Sequence, residues 1–114
     1  GETPIPAHHR VHDHVAPTLL LPLREPAKVL DALAEREIRH VWLEGGPRLA
    51  GAFWNAGLID RVIGYIAPAM LGSGRAALEG QATTLSDLRR LHIDDLRRIG
   101  SDIRIIGVPE QEER

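Results

Sequence analysis

The chain contains no cysteine, and this absence excludes several kinds of site. Disulfide bonds, thiolate zinc sites and a cysteine nucleophile all require the missing sulfur atom. A zinc-dependent deaminase domain, whose metal is held partly by a pair of cysteines, is excluded from these 114 residues for the same reason.

Neither a strong charge excess nor a long apolar run is present. The net charge of −2 provides no basic surface for nucleic acid or for an anionic membrane. No apolar run approaches the roughly 20 residues of a membrane helix, and residues 1–10 lack the apolar core of a signal peptide. We therefore expect a cytoplasmic protein with neither a nucleic-acid nor a membrane partner.

The composition is that of an ordinary globular domain, with 43% apolar and 26% charged residues. A chain of 114 residues forms at most one domain, and it is long enough to bury one hydrophobic core. We expect an irregular loop over residues 1–17 and a charged tail over residues 109–114.

A glycine turn between an apolar segment and a helical pattern is the most informative stretch. Residues 41–43 predict a strand covered on both faces, and Gly45 and Gly46 allow backbone angles closed to other residues. Pro47 suits the first position of a helix, and Gly57 suits the position just after its end. The free N–H groups and positive dipole end of such a helix favour a bound phosphate.

Two known phosphate motifs do not match this turn. Gly46 and Gly51 have the spacing of a P-loop, but Ala52 and Phe53 stand where lysine and serine or threonine are required. The dinucleotide fingerprint fails because the glycines are adjacent and Asp60 comes too early, before a strand.

The remaining pattern predicts an α/β fold with a mostly parallel sheet flanked by helices. Strands are predicted over Thr18–Leu23 and Ile38–Leu43, with a helix over Pro26–Arg36 between them. A strand, helix and strand in about 25 residues favour a parallel pair with a right-handed crossover. A further strand is predicted over Asp60–Ala67.

The C-terminal part predicts an antiparallel hairpin. The turn Gly100-Ser101-Asp102 separates a strand over residues 88–98 from one over residues 103–108, with an irregularity near Asp94–Asp95. The four arginines of the first strand more often mark a solvated face than a site; they are Arg89, Arg90, Arg97 and Arg98.

Two segments leave their roles open. The segment His8–His14 holds four histidines and Asp13, a composition that either binds a metal or forms a solvated loop, and we favour the loop because no distant ligand is indicated. The glycine-rich segment Pro68–Leu85 is either a mobile loop near a ligand or a plain surface connection.

The motifs around the glycine turn resemble the reductase domain of riboflavin biosynthesis. The resemblance rests on Leu43-Glu44-Gly45-Gly46-Pro47, Leu49-Ala50-Gly51, Ala56-Gly57-Leu58-Ile59-Asp60, Ile66-Ala67-Pro68 and Leu71-Gly72. It implies a dihydrofolate-reductase-like fold, of which residues 1–114 would be the C-terminal part and therefore an incomplete domain. It also implies NADPH-dependent reduction of the ribose of 5-amino-6-(5-phosphoribosylamino)uracil, a small-molecule substrate, in an enzyme that is commonly a homo-oligomer and is often a bifunctional deaminase/reductase.

The resemblance also implies roles for individual residues. Glu44 would face the pyrimidine of the substrate, and the cofactor phosphates would be held by Gly45, Gly46, Pro47, Arg48 and Leu49. Arg48 departs from the family, in which a small hydroxyl residue is common there, and it either adds a cation near the phosphates or is solvated. No catalytic residue and no metal ligand is assigned.

Two interpretations follow from different classes of protein. The first is a reductase, or part of one, that needs substrate-pocket strands upstream of Gly1, so that residues 1–114 alone are expected to be inactive. The second is a non-catalytic nucleotide-binding or dimerisation module that retains the glycine turn.

Overall fold

The computed structural model describes residues 3–111 and contains two helices and three strands. Helix α1 spans Pro26–Glu35 and helix α2 spans Pro47–Asn55. Strands β1, β2 and β3 span Val62–Ile66, Leu91–Ile99 and Asp102–Pro109. Short 3-10 turns lie at Arg10–His12 and Leu85–Asp87. None of the helices in the described part is long and apolar enough to cross a membrane.

Both helices begin as local sequence rules require, and both end in the same hydrogen-bonded motif. Each has proline in its first turn, where a backbone N–H would have no partner within the helix, so its absence costs no hydrogen bond. Helix α2 ends in a Schellman motif, with Gly57 at φ +71° and the N–H of Leu58 bonded to the carbonyl of Phe53. Helix α1 ends in the same way, but Glu37 occupies the left-handed position at φ +62°.

The three strands form one antiparallel sheet in the order β1-β3-β2. The predicted hairpin is confirmed: β2 and β3 pair directly around a turn in which Gly100 has φ +61°. The predicted irregularity is confirmed as well, because the register shifts between Ile93 and Asp95. The predicted tail begins too early, since Pro109 is the last residue of β3.

The predicted parallel strands are absent from residues 3–111. The segments 18–23 and 38–43 flank α1 but have no regular secondary structure and pair with no strand in the described chain. Val41 and Trp42, expected to be covered on both faces, are 50% and 75% exposed. An apolar segment forms a strand only beside another strand that accepts its hydrogen bonds, and its own sequence does not supply that neighbour.

The described residues also do not bury the hydrophobic core that the sequence predicts. Phe53 of α2 is the only large hydrophobic side chain that is buried among residues 3–111. The accessible surface is 10410 Å², whereas a folded monomer of 12.6 kDa exposes about 6,200 Å². The radius of gyration is 16.8 Å, against about 13 Å for a compact chain of this length. Many large apolar side chains of the described residues are therefore exposed.

The expected loop and tail extend to residues that the structure leaves undescribed. Residues 1–2 of the loop and residues 112–114 of the tail lie outside the described range.

Candidate functional site

The glycine turn leads directly into α2, as predicted. Gly46 is the residue before the helix, with φ −70° and ψ 179°, and Pro47 opens the first turn. The expectation of unusual backbone angles is wrong, because the glycines with positive φ among the described residues are Gly57, Gly72 and Gly100. A positive φ is therefore not the reason for glycine at these two positions, which leaves the space that a side chain would occupy there.

The space around the two glycines differs. A β-carbon on Gly45 would collide with the side chain of Leu49, which folds back over the turn. A β-carbon on Gly46 would meet no atom within 4 Å. The backbone at Gly46 is therefore open to a ligand, whereas Gly45 makes room for a side chain of the helix.

The first turn of α2 presents backbone donors at this opening. Gly46 has no side chain that could cap the helix, and Pro47 has no N–H. The N–H groups of Arg48 and Leu49 precede the first intrahelical bond, which Ala50 donates to the carbonyl of Gly46. Such donors at the positive end of a helix dipole suit an anion.

The other predicted site residues lie on the surface of the same turn. Glu44 is exposed and directly precedes the glycines. Arg48 is 92% exposed along its side chain, and its Nε lies 3.8 Å from a carboxylate oxygen of Glu79. Arg48 is thus an exposed cation in the first turn of α2 that lies beside the carboxylate of Glu79.

A second segment lies along α2, and it belongs to the glycine-rich segment Pro68–Leu85 whose role the sequence left open. We call residues 79–81 the strap. The N–H of Glu79 donates to the carbonyl of Pro47 (3.0 Å), and Asn55 donates to the carbonyl of Glu79 (3.3 Å). The N–H of Gln81 donates to Oδ1 of Asn55 (3.1 Å). The strap therefore spans the helix from its first to its last residue.

Gly51 explains how the strap approaches so closely. A β-carbon at this position would overlap the carbonyl of Glu79. Glycine inside a helix is unfavourable relative to alanine, so its presence in the middle of α2 was a usable signal of a close backbone contact.

The chain just after the glycine-rich segment is attached to the same helix. The guanidinium of Arg89 lies 4.7 Å from the ring centroid of Trp54 and donates to the Trp54 carbonyl (3.2 Å). The interpretation of Arg89 as part of a solvated strand face is therefore wrong. A capping box at Thr84 begins the 3-10 turn before it, and the hydroxyl of Thr84 lowers the pKa of Asp87.

The histidine-rich segment forms a locally bonded loop. His12 Nε2 lies 3.2 Å from the carbonyl oxygen of Ile5, and Arg10 lies 3.9 Å from Asp13. Across residues 3–111, no group of three or more histidine, aspartate or glutamate side chains converges as a metal site would require.

A salt-bridged cluster marks the irregularity of the sheet. Asp95 lies at the register shift and accepts a hydrogen bond from Arg104 (2.9 Å), while Arg97 Nε lies 3.2 Å from its other oxygen. The bond from Arg104 is the main cause of the lowered pKa of Asp95. This cluster joins β2 to β3 and includes no residue of the glycine turn.

Comparison with known proteins identifies relatives across most of the chain. The riboflavin biosynthesis protein RibD of Mycobacterium tuberculosis (strain H37Rv) is 38% identical over 104 residues, which are 90% of this chain and 30% of that protein. The RibD protein of Escherichia coli (strain K12) is 40% identical over 74 residues, covering 62% of this chain and 20% of that protein. The 5-amino-6-(5-phosphoribosylamino)uracil reductase of Buchnera aphidicola (subsp. Acyrthosiphon pisum) is 34% identical over 85 residues, 73% of this chain and 41% of that protein.

Solved structures agree with these relatives. Acinetobacter baumannii RibD (form 1) superposes with a TM-score of 0.74 at 29% identity, covering 82% of this chain and 27% of that one. The chain thus spans less than half the length of each of these proteins. The family model described as the RibD C-terminal domain matches residues 3–105, a range that includes the glycine turn, α2 and the strap. The chain belongs to the RibD C-terminal domain family.

Proposed function

We propose that this chain is part of an NADPH-dependent reductase of riboflavin biosynthesis. The reaction is the reduction of the ribose of 5-amino-6-(5-phosphoribosylamino)uracil to the ribitylamino product. The observation that carries the proposal is the family match over residues 3–105, together with a relative named for this reductase that is similar over 73% of the chain.

The geometry of the glycine turn is compatible with a nicotinamide dinucleotide. The open space at Gly46 and the N–H groups of Arg48 and Leu49 suit a phosphate, which is the part of the cofactor that a helix N-terminus binds best. We propose that Gly45, Gly46, Pro47, Arg48 and Leu49 hold the phosphates of NADPH. When bound, the cofactor supplies the hydride, so the task of these residues is to position it.

Glu44 has a separate role in this proposal. It lies beside the phosphate position, where a second negative charge disfavours the cofactor. A carboxylate there is better explained by a hydrogen bond to the pyrimidine of the substrate. We therefore propose Glu44 as a substrate residue and assign no catalytic acid or base within the chain.

The apolar segments that flank α1 concern the full-length protein. We propose that the segments 18–23 and 38–43 pair as parallel strands in the full-length protein, because their apolar side chains are accessible here and the matches cover only 30% and 41% of two relatives. We also propose a cytoplasmic homo-oligomer, in keeping with the family resemblance. Residues 1–114 alone are then expected to bind substrate poorly and to show no turnover.

The test is an assay of the purified full-length protein with NADPH and the phosphoribosylamino-pyrimidine. Loss of NADPH absorbance that depends on the substrate is expected, with slower loss when NADH replaces NADPH. Binding of NADPH without oxidation would favour the non-catalytic nucleotide-binding or dimerisation module. Absence of both binding and oxidation would contradict the proposal.

A further inference from the structure

We infer that Glu79 is an affinity-determining residue of the cofactor turn and that Asn55 positions it there. The inference rests on the function proposed above, because it concerns the same phosphate position. It adds a residue from the strap, 34 positions after Gly45, to a site that otherwise consists of one continuous segment.

The backbone of the strap brings Glu79 to the N-terminal end of α2. Its N–H donates to the carbonyl of Pro47, the first residue of the helix, at 3.0 Å. This main-chain bond holds the backbone of Glu79 against α2, whichever rotamer its side chain adopts, and the carbonyl of Glu79 lies against Gly51. The carboxylate then reaches Arg48, whose Nε lies 3.8 Å from Oε2.

The charge of Glu79 opposes a phosphate in two ways. It attracts the guanidinium of Arg48, which would otherwise be available to the cofactor. It also lies 3.8 Å from Nε of Arg48, a residue of the helical turn where the phosphate is proposed, and like charges repel. The Glu79 side chain is 60% exposed, so water and salt weaken both effects and the expected change in affinity is modest.

Asn55 holds the strap in this position from the other end of the helix. Its side-chain amide donates to the carbonyl of Glu79 (3.3 Å), and its Oδ1 accepts from the N–H of Gln81 (3.1 Å). An amide side chain is suited to this double bond because it carries both a donor and an acceptor. Without it, the strap retains the bond to Pro47 but loses both bonds at the far end.

The experiment compares two neutralised glutamates in the full-length protein. Glu79→Gln is expected to tighten NADPH binding about two- to fivefold at low salt, the range of an exposed ion pair, and the gain should shrink at high salt. The matched control is Glu25→Gln. Glu25 directly precedes α1, a helix that opens with proline, and it lies 3.4 Å from Lys28 in a similarly exposed pair, but it has no glycine turn beside it. The control should leave NADPH affinity unchanged.

The role of Asn55 is tested by measuring the effect of Glu79→Gln on NADPH affinity with and without the Asn55 side chain. In an Asn55→Ala background, Glu79→Gln should tighten NADPH binding less than it does in the wild-type background, because the strap then keeps only its bond to Pro47 and the charge is held less firmly at the turn. A purely structural role for Asn55 would change stability but leave the effect of Glu79→Gln intact. Amide exchange of Gln81 in the free protein should also accelerate in Asn55→Ala.

The possible outcomes separate the inference from the proposed function. If wild type binds NADPH but Glu79→Gln behaves as Glu25→Gln does, the role of Glu79 is overturned and the proposed function stands. If Glu79→Gln tightens binding equally in both backgrounds, the role of Asn55 is overturned. If wild type does not bind NADPH, the proposed function fails and this inference fails with it.

Discussion

The backbone carbonyl of Glu79 lies in the space that a β-carbon on Gly51 would occupy. The contact between α2 and a loop segment nearly 30 residues later in the chain is thus possible only because residue 51 has no side chain. This contact links the glycine turn at the start of α2 to the strap and gives Gly51 a role that helix propensity alone opposes.

Gly51→Ala should separate helix propensity from the strap contact. Alanine favours the helix by about 1 kcal/mol, but its methyl group forces the carbonyl of Glu79 away from α2. We expect faster amide exchange at Gln81 and no gain in the free energy of unfolding. Gly64→Ala is the control, since a β-carbon there meets no atom within 4 Å. A gain of about 1 kcal/mol with unchanged exchange at Gln81 would show that the strap does not contact the helix in solution.

Gly46→Val should abolish NADPH binding in the full-length protein. The open space at Gly46 accepts the valine side chain without a clash, and φ −70° is allowed for valine, so the fold should be retained. The side chain would then block the approach of the phosphate. Calorimetric titration with NADPH measures the loss, and thermal unfolding checks the fold. Gly45→Ala provides the contrast, because its methyl group displaces Leu49 and should lower stability. Unchanged affinity in Gly46→Val would move the cofactor site elsewhere.

Glu44→Gln should weaken substrate binding and spare the cofactor. The glutamine retains the shape but removes the charge, and loss of a charge-assisted hydrogen bond costs about 1.5–3 kcal/mol, or roughly ten- to a hundredfold in affinity. NADPH affinity should stay level or rise slightly, because a negative charge near the phosphates has been removed. Dissociation constants of both ligands, measured for wild type and variant, decide the matter. Equal losses for both ligands would mean that Glu44 supports the turn itself.

The stability of the hairpin should depend on the ionised form of Asp95. The hydrogen bond from Arg104 lowers the pKa of Asp95 in the folded protein. A carboxyl with a lowered folded pKa stabilises the fold above its unfolded pKa of about 3.9, and this stabilisation is lost as the pH falls through the folded value. Asp95→Asn should therefore be less stable than wild type at neutral pH, and the difference should narrow below about pH 4. Urea unfolding across this pH range is the measurement, and two parallel stability curves would contradict the assignment.

Several features of this protein follow from residues close together in the chain. Pro26 and Pro47 mark the starts of the two helices, Gly57 ends the second, and Gly100 forms the hairpin turn. Each of these depends on backbone angles or on a missing N–H within a few residues, so a local pattern suffices. The irregularity at Asp95 was predictable for the same reason, since two adjacent aspartates interrupt the alternation of the strand. The left-handed Glu37 had no comparable signal, because glycine is the residue that normally marks this position.

The features that only the tertiary structure decided join residues far apart. Asn55 bonds to Gln81 across 26 positions, and Arg89 bonds to Trp54 across 35 positions. The segments 18–23 and 38–43 have the apolar composition of strands, yet composition cannot supply the neighbour whose N–H and C=O groups complete a ladder. The sequence by itself therefore determined the helices, the hairpin and the glycine turn, because their hydrogen bonds are short in range. The attachment of the strap and the pairing of the sheet were decided by long-range contacts, because a local signal such as Gly51 indicates a close contact but does not name its partner.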